Sequence, residues 1–459
     1  MTIAQKTGKE LPYSGGILKL RLPFVHYRIE YQDFIQGMIL SCVPLGITAA
    51  MVKVLGIPIE VAVLMVVINN FFYLLHTTFG DPSISGWITA GIPLYLSYLT
   101  GYEAGPERIQ ALVALQVLVG GIFLVLGVTG ITKYIIKHFP VSMRSGILLG
   151  AGFASLMRVF NPAQPFMGKM PIAFIVASLG SFFILFSLKA MKFRLKFGWF
   201  AWIASFGIAP GFVLGYIVGL LTGEIAPPTG VFDRFIIAMP FGDMLTSFTS
   251  LGIGMPSASI WAGAISLAIV AYVLAFGDIL VLETMIDDCN KSRPDEKIVF
   301  EVSRNHIITA FRNIFQGIFV PFIALCGPQW TGGQALVVNR FKNSTPEQEP
   351  SYWGGATSLF WGMSIAMIFH PFVQIILPAK LIGFGLTLLI QGYLCIYLAF
   401  AMCTTNVQRG IAGVMGAALV SANFVKLWGN AFWSGPTIAL IVGAVLYFLL
   451  EYDSSEKEA

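Results

Sequence analysis

Apolar residues along this chain fall into long blocks separated by short polar, glycine-rich or proline-rich breaks. A helix needs about 20 mostly apolar residues to cross hydrocarbon. Blocks that meet this measure, or come close to it, fall at 33–55, 59–76, 109–131, 171–190, 197–221, 262–284, 306–325, 353–375, 382–403 and 435–450. Shorter apolar helices are predicted at 143–158 and 408–424, and two further segments, 84–99 and 333–341, are apolar but interrupted. Together they predict an all-α polytopic membrane protein of fourteen transmembrane segments. The predicted organisation is a cytoplasmic tail (1–32), a first set of seven segments (33–221), an extracytoplasmic interfacial linker (222–261), a second set of seven (262–450) and a C-terminal tail (451–459). The first dozen residues and the final DSSEKEA are expected to be disordered.

Composition agrees with immersion in lipid. The chain is 56% hydrophobic and 11% charged, with mean hydropathy +0.78, whereas a soluble domain carries about 25% charged residues. The net charge of +5 does not point to nucleic acid, because Lys and Arg gather at the ends of the apolar blocks. Lys133, Lys137 and Arg144, and the run Lys189, Lys192, Arg194 and Lys196, fall on the cytoplasmic side if both termini are cytoplasmic and both interrupted segments cross. The basic N-terminus has no signal-peptide core, so it is expected to stay in the cytoplasm; the expected location is the plasma (inner) membrane, with both termini cytoplasmic. Cys42, Cys289, Cys326, Cys395 and Cys403 show no metal spacing, and His76, His138, His306 and His370 are scattered. No Walker sequence is present. Neither a metal, a cofactor nor ATP is expected.

The two interruptions read GDPSISGWITAGIPL and LCGPQWTGGQALVV, each in the third segment of its half. An odd number of segments per half makes the halves inverted repeats. Paired broken segments in corresponding places point to a transporter's binding site. Backbone freed from a helix is costly in lipid unless protein, water or solute satisfies it, and half-helices starting there aim their N-terminal dipoles at the gap. The plain alternative is a pair of surface loops. In the second break Thr331, Gly332, Gly333 and Gln334 would offer N–H groups and an amide, suited to a purine or pyrimidine edge or to an oxyanion. Ser85, Trp87, Ile88 and Thr89 are their counterparts. Among the acids, Glu283 and Asp287 lie four residues apart on one helical face, and intramembrane carboxylates suggest function. Asp278 is about 140° round the helix from Glu283, so only one of them can point squarely at a site. The spacing to Pro328 favours Glu283, and Asp278 is the alternative.

The stretches LAFGDILVLETMIDD, TAFRNIFQGIFVPFIALCGPQWTGGQALVVNR, GDPSISGWITAGIPL, KHFPVSMRSGILLGAGFASL and LPAKLIGFGLTLLIQGYL together resemble the nucleobase–ascorbate transporter family of uracil and xanthine permeases. The resemblance implies two inverted repeats of seven segments forming core and gate domains, with segments three and ten partly extended. That fold is shared with the SulP sulfate permeases, so it does not fix the solute. It places Glu283 on the family's base-binding glutamate and Gln334 on its segment-ten acid-or-amide position. Here, however, the family's Asn-x-Gly is Ala335, Leu336 and Val337, and its aromatic residue before the glycine is Gly332.

The function expected is therefore an ion-coupled secondary transporter and not an enzyme, for want of a catalytic constellation. Its solute is a nucleobase-type molecule or, alternatively, an inorganic or organic anion in the SulP manner. The absence of a C-terminal STAS domain counts against a typical SulP member. Glu283, Asp278 and Asp287 are the candidates for coupling to H+ or Na+. The other partners expected are membrane lipid and, as an open alternative, a second copy of the chain.

Overall fold

The computed structural model describes residues 17–161, 165–421 and 435–452. The expectations of disorder at the two ends fall outside these residues, as do 422–424 of the expected 408–424 helix. Among the described residues, two very short strands and the following helices position the site, with shorter helices such as Leu188–Lys196 between them: α1 (Tyr31–Leu55), α2 (Ile59–Thr78), β1 (Gly86–Trp87), α3 (Ile92–Leu99), α4 (Pro106–Thr129), α5 (Val141–Phe160), α6 (Pro171–Phe186), α7 (Ala209–Thr222), α8 (Ala258–Ser292), α9 (Val302–Phe319), β2 (Cys326–Gly327), α10 (Thr331–Asn343), α11 (Tyr352–Ala366), α12 (Lys380–Met402), α13 (Asn406–Ser421) and α14 (Gly435–Leu450). Among the described residues, five helical stretches are long and apolar enough to cross a membrane, and seven if each of two bent pairs counts as one span. The protein is thus a multi-pass membrane protein.

Several spans differ from the sequence reading for local reasons. The expected 171–190 helix stops at Phe186 and turns by 64° into Leu188–Lys196, because its basic run cannot remain in hydrocarbon. The expected 197–221 span bends by 80° between Gly198–Ala204 and Ala209–Thr222. There Gly207 takes φ +60° with Gln36 against it, and the Gln36 carbonyl accepts the freed Ile208 N–H at 3.2 Å. The expected 306–325 span ends as helix at Phe319, because Pro321 lacks the N–H needed to continue it. In contrast, α8 runs well beyond the expected 284, to Ser292.

Helix packing repeats with an offset of seven. α1 packs on α11 and α8 on α4; α2 on α11 and α9 on α4; α6 on α7 and α13 on α14; α5 on α13 and α12 on α6. The α5–α12 pair and the β1–β2 pair map onto themselves. The strands pair antiparallel, Gly86 opposite Gly327 and Trp87 opposite Cys326. This crossing is buried, and it leaves backbone polar groups without helical partners.

Side chains from neighbouring helices take those groups up. Asn313 of α9 acts as a third strand: its Nδ2 donates to Cys326 O at 2.8 Å and its Oδ1 accepts Cys326 N–H at 2.9 Å. Arg312 donates to Gly327 O at 3.2 Å and Gly86 O at 3.4 Å. Asn305 reaches Pro328 O at 3.1 Å and Asp81 at 2.8 Å. Gln116 of α4 accepts Phe322 N–H at 2.9 Å. The buried Arg312 charge is balanced through His76, whose Nε2 accepts from Arg312 at 3.1 Å, which leaves Nδ1–H to donate to Asp81 at 2.5 Å.

Removing such a group strands its buried partners, at about 1–3 kcal/mol for each one. Asn313→Leu is therefore expected to destabilise the protein by roughly 2–5 kcal/mol, read as a lowered thermal midpoint in detergent. An unchanged midpoint would show that the crossing does not depend on this side chain.

Candidate functional site

The crossing exists because the chain is narrow where the two breaks meet. A Cβ at Gly86 would lie 2.5 Å from Trp330 Cβ, and one at Gly327 would lie 2.6 Å from the Trp87 carbonyl carbon. Leu325, just before β2, is held at φ +53°, a conformation that costs a non-glycine residue energy and persists only where its surroundings fix it. Two further bonds tie the breaks together: Trp330 N–H donates to Ile84 O at 2.6 Å, and Ile84 N–H donates to the Gln334 carbonyl at 2.7 Å.

A half-helix leaves each side of the crossing. On one side Ile88 leads into the short 3-10 turn Thr89–Gly91 and α3; on the other, Trp330 leads into α10. No side chain caps either start. The first-turn N–H groups of a helix have no intrahelical partner, and its N-terminus carries about half a positive charge. Both starts open on one cavity of about 230 Å³, lined by Trp87, Ile88 and Thr89 from the first break and Gln329, Trp330 and Thr331 from the second. Its far wall is a stripe of α5 (Ile147, Ala151, Ser155 and Arg158) with Phe384 and Leu388 of α12, and α8 contributes Asp278.

Among the described residues no ion pair involves Asp278 or Arg158. The Arg158 guanidinium rests 5.2 Å from the centre of the Phe384 ring.

The structure brings together Trp87, Ile88, Thr89, Thr331 and Asp278 of the sequence-predicted residues. Gly332, Gly333 and Gln334 stand directly behind that lining. The Gln334 amide is engaged at both its oxygen and its nitrogen: besides accepting from Ile84, it donates to Tyr352 Oη at 2.6 Å, which donates to Pro82 O at 2.5 Å. A Cβ on Gly333 would lie 2.5 Å from Trp330 Cε3, so the missing side chain seats the Trp330 indole. Glu283 lies outside the cavity lining and is bound by Arg144 of α5 at 2.8 Å, while Asp287 is exposed. Arg158 and Gln329 were not singled out from the sequence. A lone cation ending an apolar block reads as an interface anchor, and Gln329 hides within the glycine-rich break. His306 belongs to the interior, where its ring contacts Val302 O at 2.8 Å and Tyr272 at 3.1 Å. His370 pairs with Gln374 at 3.1 Å.

No protein-family model matches the chain, and no curated protein matches its sequence. Solved structures do show likeness. The transmembrane domain of a cyanobacterium bicarbonate transporter, BicA, is similar over 91% of this chain and 99% of its own, with 14% identity and a TM-score of 0.45. The murine Solute Carrier 26 family member A9 anion transporter, in the inward-facing state, is similar over 92% of this chain and 68% of its own, with 13% identity and a TM-score of 0.48. A further structure of SLC26A9 covers 91% of this chain and 64% of its own, with 13% identity and a TM-score of 0.46. The two described by activity are membrane transporters of anions, not enzymes. None of the three reaches a TM-score of 0.5, so the functional reading below rests on the site geometry.

Gly333→Val is expected to push Trp330 into the cavity and abolish the stabilisation that a bound solute confers on thermal unfolding. Gly410→Ala, where a Cβ meets nothing within 4 Å, is expected to keep it. Equal stabilisation of both variants would remove Trp330 from the site.

Proposed function

We propose that this protein is a secondary transporter of a small inorganic or organic anion. One observation carries the reading: two half-helix N-termini, neither capped by a side chain, open on a cavity whose lining includes Arg158, which forms no ion pair among the described residues. Converging backbone N–H groups and helix dipoles form an anion-binding arrangement, and a guanidinium supplies the full charge and a planar donor fork. The two groups that a nucleobase permease would use are engaged elsewhere, Gln334 with Ile84 and Tyr352 and Glu283 with Arg144. That supports an anion over a nucleobase.

Asp278 is the carboxylate that faces the same cavity, and it takes the coupling proton or sodium ion. With the cation bound, the anion enters beside a neutralised carboxylate. With Asp278 ionised and bare, the two like charges oppose one another. Transport proceeds by an elevator-like shift of a core unit (α1–α4 and α8–α11), which carries both half-helices, against a gate unit (α5–α7 and α12–α14). The offset-of-seven packing supports two inverted repeats, 33–221 and 262–450, joined by the 222–261 linker. The Glu283–Arg144 pair joins α8 to α5 across these units, so each transport cycle breaks it.

Purified protein titrated with bicarbonate, sulfate, chloride and dicarboxylates should show a raised thermal midpoint for at least one of them. A ligand at a hundred times its Kd adds about 2.7 kcal/mol. Uracil and xanthine should leave the midpoint unchanged; stabilisation by either nucleobase, with none by any anion, would overturn the reading. In proteoliposomes Asp278→Asn should retain anion binding but lose the dependence of uptake on the cation gradient. Glu283→Gln should change the transport rate and leave that dependence intact. The reverse pattern would move the coupling site to Glu283.

A further inference from the structure

A second cavity, of about 270 Å³, adjoins the first. It shares Trp87, Thr89, Arg158, Trp330 and Phe384 with the first cavity, so the same two indoles and the same guanidinium form a common wall. Its remaining lining comes from α1, Tyr73, Gly86, Ile92, Phe166, Met363 and the start of α12. Among the described lining residues the ionisable groups are Cys42, Tyr73, Arg158 and Lys380. None is a carboxylate. No ion pair among the described residues involves Lys380.

The two chambers therefore differ in charge. The first holds one cation and one carboxylate, Arg158 and Asp278; the second holds two cations, Arg158 and Lys380. Two cations facing one cavity with no carboxylate beside them attract a mobile anion. From this arrangement, and resting on the anion reading above, we infer that the second cavity is a distinct anion subsite. In it Lys380 and Arg158 together hold a small inorganic oxyanion or halide before or after that anion occupies the half-helix site. Arg158, lining both chambers, is the residue that the anion keeps in contact with as it passes between them. Lys380 confers charge selectivity on the second chamber and has no part in the first.

The test reads electrostatics without needing to know the transported solute. Leu381 lines the second cavity; the native Cys42 lines it too, so every variant is made in a Cys42→Ala background, in which the four remaining native cysteines are buried. Leu381→Cys is labelled with anionic and with cationic methanethiosulfonate reagents, and each rate is divided by that for a free thiol. The anionic reagent is expected to be favoured by about tenfold. Lys380→Gln should erase most of that preference, and Lys380→Arg should keep it. Sulfate or chloride, whichever stabilises the parent protein, should slow labelling of the parent but not of the Lys380→Gln variant. No preference for the anionic reagent, or a preference and protection that survive Lys380→Gln, would overturn the subsite. The half-helix reading is judged separately: it fails if no anion stabilises the parent protein, and it stands if anions stabilise both parent and Lys380→Gln while labelling shows no charge preference.

Discussion

Everything near the site depends on satisfying the backbone where two broken segments cross inside the protein. A helix pairs its own N–H and C=O groups, and a chain pulled out of helix in a membrane must find replacements. Here the replacement is a two-residue antiparallel pairing, Gly86–Trp87 on Cys326–Gly327, extended by amides and a guanidinium from α4, α9 and α10. Glycine at 86 and 327 lets the two backbones and Trp330 approach within the space a methyl group would fill. The buried Arg312 is held in the same network, with its charge returned to Asp81 through a neutral His76.

That scaffold orients the half-helices, and the half-helices set the electrostatics. Both starts face the cavity where Arg158 and Asp278 lie, and Arg158 is common to a second chamber that also holds Lys380. Pairing decides which charged groups can serve a mobile ion. Glu283 has its arginine at 2.8 Å, whereas Asp278 has no ion-pair partner among the described residues. A carboxylate already bound to a protein cation has less to gain from a transported one.

Much of the fold was legible because apolar block length is a direct consequence of the hydrocarbon thickness. The two breaks were legible because Gly, Pro and polar residues cannot continue an apolar helix without reason. From them Trp87, Ile88, Thr89 and Thr331 were singled out as candidates, and these four residues line the cavity. The bends within 171–190 and 197–221 were not legible, since periodicity does not report a change of direction within an apolar run. The partner of Glu283, Arg144, was not legible either, because it lies more than a hundred residues away in sequence. The α9 staple did leave a trace. Asn305, Thr309, Arg312, Asn313 and Gln316 recur at helical spacing within an otherwise apolar segment, and all are buried. A polar stripe of that kind in lipid signals backbone elsewhere that needs partners. Gln334 carried a contrary lesson: an amide beside a break can be consumed in holding the break together.

Hydrogen exchange at the crossing, measured by mass spectrometry with and without a stabilising anion, tests the account most directly. Amides already bonded in the crossing, those of Ile84, Cys326 and Trp330, should exchange slowly in both conditions, because opening them requires breaking the staple. Amides of the two open helix starts, at 89–90 and 331–333, should become slow only when the anion is present. Fast exchange throughout the crossing, or an anion that protects other segments while leaving both helix starts unchanged, would contradict it.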